Sequence, residues 1–202
     1  MKPTLPPTRI RSRPQIDSAV GASWLVLTPD SLLRSSKPGA RMVLLRLEDL
    51  AGEISGAPHR PDAGAIDELQ DLLYATREKA LLIVLQGMDT SGKSGVIRNV
   101  FAQTSPLGMK VKAFKAPTRI ELGHDYLWRV HEATPRKGFV GIFDRSQYED
   151  VLVVKVRNFA PADQVEQRYE QINQFEKHLT ENGTKILKFM LHVGYEEQGI
   201  RL

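Results

Sequence analysis

Eight consecutive residues, Gly87 to Ser94, read GMDTSGKS and match G-x-x-x-x-G-K-[ST] at every fixed position. The two glycines allow backbone conformations closed to other residues, so successive N–H groups can point into one concavity. A helix opening at the end of such a loop adds the partial positive charge of its N-terminus. Lys93 contributes a full charge for outer phosphates, and Ser94 a hydroxyl suited to Mg²⁺. The pattern therefore makes Gly87, Met88, Asp89, Thr90, Ser91, Gly92, Lys93 and Ser94 the candidate phosphate-holding residues. Asp89 stands out, because a carboxylate beside a phosphate site repels the ligand. It makes sense there if it helps hold Mg²⁺ or orients an attacking phosphate oxygen; the alternative is a solvent-facing turn residue.

A second cluster spans Phe139 to Asp150, FVGIFDRSQYED. An apolar run ending in Asp144 puts a carboxylate at a strand's carboxyl end, where it can assist the same metal. Arg145 follows directly, and its planar fork can clamp a phosphate and offset charge that develops during transfer. The plainer readings are a turn residue for Asp144 and a surface ion pair with Glu149 or Asp150 for Arg145. Between the clusters lie Lys110, Lys112, Lys115 and Arg119. A polyanion needs cations spread along a groove, but Lys110 and Lys112 fit a solvated face equally well. Lys115 is the better candidate, because it ends a strand just before Pro117. His124, Asp125 and His131 suggest a metal site if the two histidines share one helix face; ordinary core or surface histidines are the preferred reading. No nucleophile–base pair stands out, and phosphoryl transfer to a phosphate needs none.

The elements that must position these residues follow from periodicity. Ile66, Leu69 and Leu73 predict an amphipathic helix over 62–78. Ala80 to Gln86 is a continuous apolar stretch of strand length, as a buried parallel strand requires. The phosphate loop follows, then a helix over 93–102. Lys110 to Phe114 predicts a strand, and Thr118 with Glu121 forms a capping box that opens a helix over 118–133. Phe139 to Phe143 predicts a strand. Val165, Tyr169, Ile172, Phe175 and Leu179 predict a helix over 162–181, closed by Gly183, and Lys185 to Leu191 predicts another strand. Alternating strands and helices imply an α/β fold: a parallel β-sheet flanked by helices in three layers, with right-handed crossovers.

The 202 residues suit one domain with a tail. Residues 1–16 carry four prolines and four basic residues without an acid, a composition that favours a disordered tail. Residues 17–60 are interrupted by Pro and Gly and read as an irregular extension, with Met42 to Leu47 as a short strand or helical turn. The domain proper is expected over 61–202. The net charge of +4 suits an anionic ligand without pointing to nucleic acid. The absence of cysteine excludes disulfides, thiolate nucleophiles and Cys-based zinc sites. The longest apolar run, Ala80 to Leu85, is far short of the ~20 residues a transmembrane helix needs. No membrane partner and a cytoplasmic location are the expectations.

Taken together, LIVLQGMDTSGKSG (82–95), FKAPT (114–118), EL-x-HDYLWRVH (121–131), GIFDRSQYEDVLVVKV (141–156), FMLH (189–192) and EEQ (196–198) resemble the polyphosphate kinase 2 family. The resemblance implies a thymidylate-kinase-like P-loop fold. It implies reversible, Mg²⁺-dependent phosphoryl transfer between inorganic polyphosphate and a nucleotide (ADP/ATP or GDP/GTP), usually by a homo-oligomer. It further implies that Lys93 and Arg145 bind phosphate, that Asp89 and Asp144 position metal and phosphate, and that Lys115 faces polyphosphate. Two departures stand out. Ser94 replaces the acid or glycine of many members, and the chain stops at Leu202, where members continue into an arginine-bearing lid helix. The alternatives are a truncated, inactive relative that binds polyphosphate or nucleotide, and an ATP-dependent nucleotide kinase.

Overall fold

The structure is a computed structural model, and it describes residues 24–27, 65–101, 104–151, 162–192 and 198–199. The expected tail (1–16), most of the 17–60 extension, the Met42 to Leu47 element and the first residues of the 61–202 domain lie outside the described residues.

The strands are β1 (Trp24–Leu27), β2 (Ala80–Gly87), β3 (Met109–Ala113), β4 (Val140–Asp144) and β5 (Thr184–Leu191). The α-helices are α1 (Ala65–Thr76), α2 (Lys93–Val100), α3 (Trp128–Ala133) and α4 (Ala162–Glu181). One sheet has the order β1-β5-β2-β4-β3, and every neighbouring pair is parallel. The parallel α/β expectation therefore holds. β2 occupies the middle and is buried along its length up to Gly87, which is why its sequence is continuously apolar rather than alternating.

The pleat sorts side chains onto two faces. Leu81, Ile83 and Leu85 of β2 join Val140, Ile142, Leu187 and Phe189 on one side. Ile66, Leu69 and Leu73 of α1 cover that side, together with Val96, Ile97 and Val100 of α2. Leu82, Val84, Phe143 and Ile186 face the other way, against Val130 and Ala133 of α3 and Leu179 and Phe175 of α4. These are the three layers. Gly183 closes α4 with φ 90°, as its position predicts.

Two expectations need correction. Apart from Met42 to Leu47, residues 17–60 are expected to be irregular, yet Trp24–Leu27 is an edge strand paired with Lys188 to Leu191. Four residues are too few to show a period, and the strand exists because the edge of β5 is there to pair with. The single helix expected over 118–133 is instead a 3₁₀ turn at Glu121–Gly123 followed by the short α3. The capping box does form: Thr118 N–H donates to Glu121 Oε2 at 2.7 Å, and Glu121 N–H donates to Thr118 Oγ1 at 3.2 Å. Asp125 then restarts the helix, its Oδ1 accepting from the N–H groups of Leu127 (3.0 Å) and Trp128 (3.1 Å). An Asx turn of this kind competes with helix continuation.

Candidate active site

Parallel pairing brings the carboxyl ends of the strands to one edge of the sheet. In register, Gly87 meets Leu191, while Leu85 and Ala113 both meet Asp144. The loops that leave these strands therefore converge, which is where α/β sheets place ligands.

The loop after β2 turns sharply into α2. A side chain at Gly87 would put its Cβ 2.6 Å from Leu191 O and 2.7 Å from Ser91 Oγ, so the loop packs against β5 only because that residue has none. Gly92, at φ 91°, opens α2 from the left-handed region. Thr90 (φ 63°) and Arg145 (φ 65°) also lie in that region without being glycine. Such backbone persists only where its surroundings over-determine it, and it clusters at functional sites.

Lys93 is buried. Its Nζ folds back over the loop, donating to Gly87 O at 2.9 Å, Met88 O at 3.0 Å and Ser91 Oγ at 3.4 Å. Burial pushes its pKa below the usual lysine value, and the Asp144 carboxylate opposes that shift. Ser94 Oγ donates to Asp144 Oδ2 at 3.5 Å, linking the loop to the end of β4. Arg145 Nη2 pairs with Asp89 Oδ1 at 2.5 Å across the mouth of the loop. The ion pair of Arg145 is thus with Asp89, not with Glu149 or Asp150.

Asp89 to Gly95, Asp144 and Arg145 line one open cavity of about 460 Å³. Six of the loop's eight predicted residues share it with Asp144 and Arg145, the two candidates from the second cluster. Gly87 and Met88 lie outside its lining, supplying carbonyls to Lys93 instead. Lys115 also lies outside it: its side chain is exposed, and its carbonyl accepts from Arg129 Nη1 at 2.9 Å. His124 stacks on Trp128 with ring centroids 4.0 Å apart, whereas His131 packs edge-on against Phe175. The broken helix keeps the two histidines from sharing a face. Among the described residues no group of three His, Asp or Glu side chains is placed to hold a metal ion.

Several supporting residues escape the sequence reading. Gln86 Nε2 donates to Glu149 Oε1 at 2.6 Å, tying β2 to the turn after Arg145. Arg129 Nη2 reaches Asp150 Oδ2 at 3.4 Å, and Arg168 Nη1 donates to Asp150 O at 2.7 Å. Burial raises the Asp150 carboxyl pKa, with Arg129 acting against it. The available signal was polarity in the wrong place: Gln86 ends a run of apolar residues.

Residues 57–202 match the polyphosphate kinase 2 family. The AMP/ADP-polyphosphate phosphotransferase of Meiothermus ruber is 51% identical over 137 residues, covering 68% of this chain and 51% of that protein. The ADP-polyphosphate phosphotransferase of Rhodopseudomonas palustris is 41% identical over 152 residues, covering 69% and 52%. The crystal structure of polyphosphate kinase 2 from Arthrobacter aurescens TC1 superposes with a TM-score of 0.66 at 42% identity, over 73% of this chain and 57% of that one. The chain spans about half the length of the curated relatives it matches.

Proposed function

This chain belongs to the polyphosphate kinase 2 family, and from that premise we propose that it moves a phosphoryl group reversibly between inorganic polyphosphate and a nucleoside diphosphate. The observation that carries the proposal is the shared cavity, where Lys93 and Ser94 of the loop meet Asp144 and Arg145 of β4. A terminal phosphate oxygen of the nucleotide attacks the terminal phosphorus of polyphosphate. The donor's P–O–P bond breaks, a new one forms on the nucleotide, and the polyphosphate chain leaves one unit shorter. The attacking oxygen is already ionised, so no general base is required.

Lys93 leaves the loop carbonyls to meet outer phosphates, and Arg145 exchanges Asp89 for a phosphate oxygen. Loop N–H groups and the N-terminus of α2 hold the remaining oxygens. The donor set suits Mg²⁺: Ser94 and Asp144 offer hard oxygens within hydrogen-bond reach of one another. Mg²⁺ is usually held by one or two carboxylates, with phosphates and water completing the shell. Asp89 becomes a third oxygen donor once Arg145 turns to phosphate. When bound, Mg²⁺ would neutralise charge on the transferring group. Lys115 is assigned to the polyphosphate path outside the cavity on the resemblance alone, as is assembly into a homo-oligomer. No helix among the described residues is long and apolar enough to cross a membrane, and we place the activity in the cytoplasm, where nucleotides are held.

The test is Mg²⁺-dependent transfer from long-chain polyphosphate to ADP and GDP, with Lys93→Ala alongside. We expect nucleoside triphosphate from the wild type and none from a variant that melts like it. Equal turnover by the two proteins would refute the assignment of Lys93. A folded wild type that binds polyphosphate but forms no product would leave a binding role only.

A further inference from the structure

Arg145 owes its aim to a turn whose next residues are sealed from solvent. Ser146, Gln147 and Tyr148 are 0%, 1% and 7% exposed. Behind them lies a charge pair in the interior: Lys188 on β5 and Glu176 on α4, with side chains only 5% and 3% exposed. Lys188 sits beside Val84 in the register of an inner strand, on the face shared with Leu82 and Ile186. An apolar residue of similar volume would serve stability at least as well there, because burying two charges costs about what their attraction returns. The pair therefore calls for a reason other than stability.

Its hydrogen bonds supply one. Lys188 Nζ donates to Glu176 Oε2 at 2.7 Å and to the Tyr148 hydroxyl oxygen at 3.0 Å. The Tyr148 hydroxyl donates in turn to Glu176 Oε1 at 2.8 Å, and Gln147 Nε2 donates to the same oxygen at 3.1 Å. Burial, reinforced by the Glu176 carboxylate, pushes the Tyr148 pKa far up, so its hydroxyl stays a donor. Glu176 thus grips two consecutive residues of the turn, and Lys188 fixes Glu176 from the sheet. On the other side, Arg145 N–H donates to Leu85 O at 2.9 Å. Arg145 is held between these anchors at φ 65°, a conformation that needs such over-determination to persist.

We propose that Glu176, Lys188 and Tyr148 are positioning residues, a buried clamp that holds the turn after β4 so that Arg145 reaches over the phosphate loop. None of the three lines the cavity, and they act through the backbone of the turn. The phosphate role of Arg145 rests on the function proposed above; the clamp itself does not.

The test replaces the pair by apolar residues of similar volume, Glu176→Leu with Lys188→Met, which spares the fold the penalty of one unpaired buried charge. Tyr148→Phe is the milder companion, keeping the ring and losing only the hydroxyl; it carries the same measurements should the paired variant fail to fold. Two readouts are taken. Calorimetry measures tripolyphosphate affinity in the presence and absence of Arg145→Ala. We expect about tenfold weaker binding when Arg145 is present, the scale of one hydrogen bond to a charged group. No further loss is expected when it is absent, because both changes act through one contact. A crystal structure of the paired variant should show Arg145 away from Asp89. The same factor in both backgrounds, or Arg145 still on Asp89 with the pair removed, overturns the proposal. If the wild type itself fails to bind tripolyphosphate, the proposed function falls, and the position of Arg145 in the variant crystal still decides the clamp.

Discussion

Asp89→Asn separates the observed role of one carboxylate, as partner of Arg145, from its proposed role in holding Mg²⁺. The substitution keeps the side chain's shape and removes its charge. Asp89 pairs with Arg145 at 2.5 Å, but the two side chains are 77% and 39% exposed. An ion pair so exposed is worth about 0.2–1 kcal/mol. For a chain of this size 1 kcal/mol is about 2–4 °C in melting temperature, so Tm should move by no more than ~4 °C. Activity should respond on another scale. If Asp89 turns to Mg²⁺ once Arg145 takes phosphate, its charge acts on the transferring group, where metal and charge positioning is worth several kcal/mol. A loss of ~3 kcal/mol is about a hundredfold in kcat. The assay is initial rate at saturating polyphosphate and ADP across a Mg²⁺ titration, with Tm measured on the same preparation. The half-saturating Mg²⁺ concentration should rise while Tm barely moves. Metal-free binding of tripolyphosphate should tighten, because Arg145 is released and a repelling charge is gone. A kcat within about threefold of wild type, under ~1 kcal/mol in barrier, with unchanged Mg²⁺ dependence would refute the metal role and leave Asp89 as the resting partner of Arg145.

Three further outcomes follow from the same geometry. Burial lowers the Lys93 pKa below the usual 10.5; since the unfolded chain then binds more protons in the window between the two values, Lys93 makes ligand-free stability rise with pH there. Tripolyphosphate needs the charged form, so its affinity should fall with rising pH at values below 10.5, and Lys93→Met should flatten that limb; a fall centred at or above 10.5 would count against the buried-lysine account. Gly92→Ala forces a side chain into φ 91° at the start of α2 and should cost about 1–2 kcal/mol of stability, with phosphate binding weakened further than Tm; chemical denaturation and calorimetry on one sample check both. Chelating divalent cations should weaken polyphosphate binding at least about tenfold, one uncompensated charge contact at ~1.4 kcal/mol, and affinity indifferent to chelation would argue against Mg²⁺ at Ser94 and Asp144.

The parts legible in the sequence are those whose signal is local. The apolar run from Ala80 leads into the GMDTSGKS loop, and Asp144 and Arg145 stand at the end of another apolar run, so strand, turn and chemistry lie within fifteen residues. The Thr118–Glu121 box is equally local, and it forms; what sequence periodicity misses is that Asp125 captures two N–H groups and restarts the helix. Trp24–Leu27 is hidden for the opposite reason, since its partner lies more than 160 residues away on β5. The clamp is hidden most thoroughly. Lys188 reads as one polar position in a strand and Glu176 as one charge on a long helix, and only the packing of α4 on β5 buries both together.

On the proposed function, the charges of the cavity explain how a chain with a net charge of only +4 would hold a polyanion. Its lining carries two cations, Lys93 and Arg145, and two carboxylates, Asp89 and Asp144, which cancel. Among the described residues, a field of surplus positive charge, the usual means of gathering a polyanion, is therefore missing from the pocket lining. Binding must proceed by exchange. Lys93 would give up two carbonyls and a hydroxyl, Arg145 would give up Asp89, and each would gain a negatively charged phosphate group in return. The carboxylates left behind then favour a ligand that brings its own cations, because an unescorted anion would meet two uncompensated negative charges at close range. Self-neutralisation also keeps the pocket inexpensive to maintain, since neither the buried Lys93 nor the partly exposed Arg145 is left without a partner. The same arrangement discriminates. A small anion such as sulfate can replace one partner at most, whereas a metal–polyphosphate complex satisfies both cations and both carboxylates at once.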